Sequence, residues 1–348
     1  LVASGVAAGK RVVTHWTWRE ELRRLGPCTV LEGPRYVRDG QVVTAAGVSA
    51  GIDMSLWLVG QLGELVVPAA LWRAMRRHAL WIEPVIEPYA GFSLDLGASV
   101  LHYAQTVFEG MKAFLGPDRK VQLFRPHDHG ARFARSARKM CMPPIPERIF
   151  VAAVSKLVRE DARWVRGNPE GALYIRPLMF ADEAFLGVRP SRHYTFVIMT
   201  CPVGSYYGRG FSSARIWVEE EAARVAPGGI GEAKTGGNYA ASLGSQVAAK
   251  QNGYDQVLWT DATTHEMVEE VGTMNVFFRF EDEVVTPALI GTILPGITRA
   301  STIQLLADQG ITVKERTVTL KEVREGARSG RLLEVFGRRV SPGGDVGA

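Results

Sequence analysis

The sequence predicts an α/β (α+β) protein, and three observations predict it. Short runs of β-favouring residues alternate with segments of helical periodicity along the chain. A stretch rich in Gly and Ser, Gly204 to Ser213, parts two such series and reads as a linker between subdomains. The 348 residues are 46% hydrophobic, enough to fill the cores of two domains of ordinary size.

In chain order, Arg11 to Thr14 and Gln41 to Thr44 read as strands, and Trp18 to Leu25 and Asp53 to Leu62 as helices, which gives residues 1–63 an α/β texture. Residues 64–83 carry mixed signals, including the basic run Arg73, Arg76, Arg77 and His78, and read as a junction. A longer unit begins near Pro84. In it Ile149, Phe150, Ala153, Val154, Leu157 and Val158 recur at helical spacing and predict a core-facing stripe. Tyr174 to Phe180 and Tyr194 to Thr200 read as strands. A Gly-rich loop around Lys234 runs into a helix from Tyr239 to Gln251, with Gly253 as its C-terminal cap. Gln256 to Thr260 reads as a strand, and Val276 to Phe280 with Val284 to Thr286 as a hairpin. Pro295, Gly296, Ile297 and Thr298 open a helix that continues through Leu306.

Subtracting 36 acidic from 41 basic residues leaves +5, spread along the chain with no massed tail or stripe. That points away from nucleic acid and toward small anionic ligands such as phosphates and carboxylates. Cys28, Cys141 and Cys201 lie far apart, without the spacing of a metal site or a disulfide framework, so no metal is expected and a reducing cytoplasm fits. The greasiest stretch, Ser55 to Trp72, is interrupted by Gln61, Glu64 and Pro68, so no membrane span is expected.

Four features carry candidate chemistry. Lys234 is flanked by Gly228, Gly229, Gly231, Gly236 and Gly237. A lysine in such a loop is ordinarily solvated, but glycines also permit the close approach by which an amine reaches an aldehyde cofactor. Glu269 and Glu270 precede a glycine turn and a run that should be buried. They are either the solvated end of a strand or a carboxylate awaiting a cationic partner such as a protonated pyridine nitrogen. Arg132, Arg135 and Arg138 stand three apart, a basic helical face from which one arginine could turn inward to a phosphate. Nearby His127 and His129 lack ligand spacing and are expected at the surface. Arg176 interrupts an apolar strand and calls for an anion, either a substrate carboxylate or a salt-bridge partner.

Nine segments then stand in one order: LHYAQTVFEGMKAF, LFRP with ARFARSA, LYIRP, LGVRPS, CPVGSYY, AKTGGNYA, EEVGTMNVFF, ILPGITR and EVFG. Together they resemble the branched-chain-amino-acid aminotransferases, which are fold-type IV pyridoxal-phosphate enzymes, over about residues 80–337. The resemblance implies a small α/β domain at 84–203, the linker at 204–213, and a larger barrel-like α/β domain at 214–337. An atypical tail occupies 338–348. It implies pyridoxal 5′-phosphate as cofactor, amino acids and 2-oxo acids as partners, and a homodimer. Lys234 would hold the cofactor aldehyde as a Schiff base and shuttle the substrate proton. Tyr239 would bond the phenolate oxygen, Glu270 would pair with the pyridine nitrogen, and Arg132 with the Ile297 and Thr298 amides would hold the phosphate. Tyr103, Phe108, Tyr174, Tyr206 and Thr273 would form the side-chain pocket, and Arg176 would take the distal carboxylate of glutamate. Leu186, Gly187 and Val188 match a loop that reaches the neighbouring subunit's site. The implied reaction exchanges the amino group of leucine, isoleucine or valine with 2-oxoglutarate. Alternatives are D-amino-acid transamination, aminodeoxychorismate-lyase-like chemistry, or a fused, truncated product with little turnover.

Two departures stand out. Residues 1–63, with GKRVVTHW and DGQVVTAAGVSAGIDMSLWLV, resemble the later part of a ThiJ/PfpI-type amidotransferase-like domain. That family's nucleophilic cysteine would precede Leu1, so His15 would have no nucleophile to serve and this piece is expected to be inert. After Gly337 the aminotransferases continue with a Gly-Thr-Ala turn, which supplies a phosphate contact and amides for the substrate α-carboxylate. Here Arg338 and Arg339 follow instead, and slow turnover is expected.

Overall fold

Strand pairing and helix packing were followed in a computed structural model that describes residues 7–14, 16–32, 34, 36–39, 42–45, 70–77, 80–81, 84–89, 91–166, 172–203 and 213–338. The chain divides into two units, Leu1–Val67 and Pro68–Ala348.

In the first unit, β1 (Arg11–Val12) pairs in parallel with β2 (Thr29–Val30), and helix α1 (Arg19–Arg24) lies between them in sequence. Strands β3 (Tyr36–Asp39) and β4 (Val42–Ala45) form an antiparallel hairpin. Two backbone bonds join the elements: the Val13 amide donates to Thr44 Oγ1, and the Arg11 amide to the Asp39 carboxylate. The expected helix at Asp53 to Leu62 and the residue His15 lie outside the described residues.

The second unit opens with a sheet made of β5 (Ala70–Arg77), β6 (Leu80–Trp81), β7 (Val85–Pro88), β8 (Thr106–Phe108), β9 (Met111–Leu115), β10 (Val121–Leu123), β11 (Ala172–Ala181) and β12 (Tyr194–Val203). Its strands run in the order β10-β9-β11-β12-β5-β6, with β7 on β5 and β8 on β11. The stretch read as a junction thus supplies β5, which pairs with β12 from Leu71↔Met199 to Arg76↔Tyr194. The short helix α2 (Ser99–Tyr103) leads into β8.

Strand β11 does most to place the site. Side chains alternate faces along a strand. Leu173, Ile175, Met179 and Ala181 join the core beneath helices α3 (Pro126–Lys139) and α4 (Glu147–Glu160), the latter followed by the short α5 (Ala162–Arg166). Tyr174 and Arg176, two apart, share the other face. The core centres on Phe133, Phe150 and Phe196, with ring centroids 5.3–6.4 Å apart. Ile149, expected in the stripe of α4, is 44% exposed. It stands about 100° around the helix from Phe150, and Phe150, Ala153, Val154, Leu157 and Val158 already fill the buried face.

The second half of the unit carries two smaller sheets. Strands β13 (Ile216–Val218), β14 (Gln256–Thr260) and β15 (Val268–Val271) form one, and β18 (Val313–Glu315), β17 (Val284–Thr286), β16 (Asn275–Phe280) and β19 (Leu332–Arg338) the other. The expected hairpin is present, with Phe278 opposite Val285. The expected helix from Tyr239 to Gln251 is instead two, α6 (Gly236–Ala241) and α7 (Leu243–Gln251). The break falls at Ser242, whose amide and hydroxyl both donate to the Tyr239 carbonyl and tighten the last turn of α6. Gly253, at φ 79°, takes the left-handed position after α7. Helix α8 (Ile297–Asp308) follows Gly296, and α9 (Leu320–Ser329) is capped by the Thr319 hydroxyl. Among the described residues, no helix is long and apolar enough to cross a membrane and no cluster could hold a metal ion.

Candidate active site

Lys234 is pinned at both ends of its peptide. Its amide donates to Ser136 Oγ on α3 at 2.9 Å, and its carbonyl accepts from the Phe108 amide at 3.0 Å. The Gly-rich loop before it packs against the β17–α8 connection: a Cβ on Gly231 would lie 2.3 Å from the Thr292 carbonyl. From this held backbone the side chain carries Nζ between two aromatic rings. It lies 2.8 Å from the Tyr239 hydroxyl and 4.9 Å from the centre of the Phe108 ring, half-buried between two aromatics that themselves pack at 4.9 Å.

Glu270 is 4% exposed on β15. Arg224 Nη2 stands 2.7 Å from one carboxylate oxygen, and Asn275 Nδ2 donates to the other at 3.0 Å. Burial pushes the carboxyl up to about 7, against the pull of Arg224 and with a further push from Glu269; Lys234 also pulls it down. Glu269 is not the solvated end of a strand. It is 2% exposed, and burial raises its carboxyl as well. A β-strand covered on both faces has no solvated alternate. A cleft is lined by Tyr239, Glu270, Thr273, Arg224 and Leu294. Thr273 is in the turn after Gly272, whose φ of 57° and contact with Gln256 Oε1 exclude a side chain.

Of the three arginines on α3, Arg135 and Arg138 face solvent and Arg132 turns inward, 6% exposed. Its Nε and Nη2 donate to the two oxygens of Glu109, and Nη1 donates to the Pro295 carbonyl at 3.2 Å. Ile297 and Thr298 begin α8 directly beyond, and the first amides of a helix have no acceptor within it. His127 is exposed as expected, in a bond to Glu147. His129 is not: it is 1% exposed and bonds Glu109 through Nδ1, because α3 turns it with Arg132, three residues on, toward the sheet.

Arg176 Nη2 donates to the Tyr174 hydroxyl at 2.8 Å, and its guanidinium lies 4.8 Å over the Phe108 ring, with no carboxylate partner among the described residues. Gly110 makes room for Tyr174; a Cβ there would lie 2.4 Å from its hydroxyl. Tyr103 forms a second group, its hydroxyl donating to the Leu186 carbonyl, with Leu186 66% and Val188 89% exposed. None of these three lines the cleft. Tyr206 lies outside the described residues. Sequence reasoning passed over Glu109, Arg224 and Asn275, and placed His129 at the surface. Glu109 could have been flagged as a lone acid between Phe108 and Gly110 in an apolar run; nothing around Arg224 signals its role.

The family model for amino-transferase class IV matches residues 106–329. The chain is 50% identical over 258 residues to branched-chain-amino-acid transaminase 1 of Bacillus subtilis (strain 168), covering 74% of this chain and 72% of that one. It is 43% identical over 261 residues to the branched-chain-amino-acid aminotransferase of Mycobacterium tuberculosis (strain ATCC 25618 / H37Rv), covering 74% and 71%. Among solved structures, the branched-chain aminotransferase of Thermoproteus uzoniensis with norvaline superposes with a TM-score of 0.65 at 26% identity, over 79% of this chain and 84% of that one. The T.th. branched-chain amino acid aminotransferase with pyridoxamine 5′-phosphate gives 0.64 at 25%, over 78% and 82%. Class IV aminotransferases work with pyridoxal 5′-phosphate, of which pyridoxamine phosphate is the amino form. With half of its residues identical to one such enzyme over three quarters of its length, the chain belongs to the class IV aminotransferases, in the family of the branched-chain-amino-acid aminotransferases.

Proposed function

We propose that the protein transfers the amino group of leucine, isoleucine or valine to 2-oxoglutarate, giving the branched-chain 2-oxo acid and L-glutamate. One observation carries the reading. A half-buried lysine amine held by a tyrosine hydroxyl shares a site with a buried carboxylate on which its charge acts.

The residues present fit pyridoxal phosphate. Lys234 Nζ would bind its aldehyde, Tyr239 its phenolate oxygen, and Glu270 its pyridine nitrogen. Arg132 with the Ile297 and Thr298 amides would hold the phosphate, since a helix start beside a guanidinium suits an anion. When bound, the cofactor supplies an electron sink for the pair left as the substrate loses its α-proton. The chain does the rest. Lys234 Nζ takes that proton and returns it, Tyr239 and the Phe108 ring keep the amine in place, and Glu270 with Arg224 and Asn275 fixes the charge at the far end. The family resemblance would give Phe108, Tyr174, Tyr103 and Thr273, with Tyr206 outside the described residues, the role of an apolar pocket for branched side chains. Arg176, which no described carboxylate engages, meets the distal carboxylate of glutamate.

Leu186 and Val188, with Leu96 at 87% exposed, leave apolar surface open, which supports a homodimer in which this loop meets its partner. Cys28, Cys141 and Cys201 are free thiols, in keeping with the cytoplasm. The domain bounds 84–203 and 214–337 and the ThiJ/PfpI-type reading of 1–63 are drawn from sequence.

Borohydride reduction of the loaded protein followed by peptide mapping should tag Lys234, and Lys234→Ala should remove the tag. Adding L-leucine should bleach the visible band of the unreduced protein. A tag on another lysine, or a band indifferent to leucine, would overturn the assignment.

A further inference from the structure

Among the described residues, the most deeply buried cluster of charges lies behind Arg132. The Glu109 carboxylate, 0% exposed, accepts from Arg132 Nε at 2.7 Å, from Arg132 Nη2 at 2.8 Å and from His129 Nδ1 at 2.7 Å. Burial pushes this carboxyl up, but the guanidinium and the imidazole outweigh it and hold the group well below the usual carboxylate range. An ionised carboxylate only accepts, so His129 Nδ1 carries the hydrogen. The anchor is rigid as well: the Glu109 amide donates to the Pro177 carbonyl of β11 at 2.8 Å.

A guanidinium gripped by a carboxylate along its Nε and Nη2 edge has one orientation. Here that orientation sends Nη1 to the Pro295 carbonyl, one residue before Gly296 and the open amides of α8. Arg132 sits on α3, packed against the first sheet, and its target lies at the head of α8, in the second half of the unit. Neither element could aim the side chain alone.

We infer that Glu109, backed by His129, is the positioning residue for Arg132, holding the guanidinium at the head of α8 so that the cofactor's phosphate meets a seat already formed. This rests on the reading of Arg132 as the phosphate-binding arginine. The role is specific: it concerns the phosphate and leaves the aldehyde and the pyridine ring to Lys234, Tyr239 and Glu270. A purely structural role for Glu109 would weaken every ligand of the cleft alike.

The test compares binding of pyridoxal phosphate with that of pyridoxal, which has the same ring and aldehyde and no phosphate, by visible absorbance. Glu109→Gln turns an amide N–H toward donors it cannot satisfy. It should weaken pyridoxal phosphate about 10- to 100-fold, the loss seen when a residue that orients a metal ligand is removed, and leave pyridoxal within about threefold. His129→Asn, whose Nδ2 can stand where Nδ1 stood, should keep phosphate-dependent affinity, and His129→Leu should lower it. Should Glu109→Gln fail to fold, as judged by circular dichroism, the His129 pair decides. Equal losses for the two ligands in Glu109→Gln, or equal behaviour of His129→Asn and His129→Leu, would overturn the inference. Arg132→Met separates the two levels. If it leaves the preference for the phosphorylated ligand intact, the phosphate reading itself fails; if it abolishes that preference while Glu109→Gln does not, only the positioning role fails.

Discussion

Arg224 and Glu270 stand 2.7 Å apart and are buried together, at 9% and 4% exposed. Even so, burial pushes the Glu270 carboxyl up to about 7, because one guanidinium faces two adjacent buried carboxylates.

That relationship sets a pH dependence. The Glu270 carboxyl rises from its ordinary 4.5 to about 7 on folding. Between those values the folded cofactor-free protein binds more protons than the unfolded chain, so stability falls as pH rises through this window. Glu183 and Asp261, held at about 2, act in the opposite sense below it, and their contribution is lost as pH falls. Urea unfolding should therefore show a maximum near the lower edge of the window. Glu270→Gln should flatten the upper slope, and Glu269→Gln should move it to lower pH by removing the neighbouring charge. No fall in wild-type stability between pH 5 and 8 would mean that Arg224 keeps Glu270 ionised throughout. In single-turnover assays of the loaded enzyme, Glu270→Gln should slow proton transfer far more than Glu269→Gln.

Replacing Arg224 by methionine should cost about 3–5 kcal/mol, the usual penalty for stranding one charge of a buried pair. The Thr292 carbonyl, which accepts from the same Nη2 at 2.7 Å, loses its donor too. A loss below about 1 kcal/mol in chemical denaturation would show that Glu270 simply takes up a proton.

Gly296→Ala should be destabilising by about 1–3 kcal/mol for steric reasons alone. The backbone there, at φ −72°, accepts alanine, but the new Cβ would lie 1.9 Å from Asn275 Oδ1. Asn275 bonds both Glu270 and the Leu294 carbonyl, so weaker cofactor binding should accompany the loss. Unchanged melting and cofactor affinity would show that Asn275 can turn aside freely.

The sequence after Gly337 bears on turnover. Strand β19 ends with Gly337 opposite Val276 and Arg338 opposite Asn275, the residue whose amide donates to Glu270. The resemblance implies two amides fixed by a Gly-Thr-Ala turn; Arg338 and Arg339 stand where that turn is expected, and an error of about 1 Å in the placement of such amides can cost on the order of a hundredfold in rate. The protein should acquire pyridoxal phosphate yet transaminate leucine slowly, with most of the loss in substrate affinity. Inserting a Gly-Thr-Ala segment after Gly337 should restore activity. Full turnover by the unaltered chain would show that its own residues already receive the carboxylate.

Much of the proposed site could be nominated from sequence because its residues are marked locally. Lys234 is bracketed by glycines, Tyr239 follows five residues later, and the Pro295 to Thr298 helix start announces an anion seat. The strand read at Tyr174 to Phe180 was legible as a short apolar run in consecutive residues, and it extends to Ala172–Ala181 in the sheet. Ser242 shows where this ends: its two bonds to Tyr239 split a helix that periodicity joined.

By itself the sequence determined the fold class and the family, and it nominated the side chains proposed to carry chemistry, because each depends on residue type and spacing over a few turns of chain. Tertiary structure alone decided which charges are compensated. His129 looks like a surface residue and Arg224 like any loop arginine until the chain brings them to Glu109, 20 residues away, and to Glu270, 46 away. Burial is a property of what the rest of the chain places around a group. A buried carboxylate shifts its proton affinity with every cation and dipole that folding brings near, whatever its neighbours in sequence.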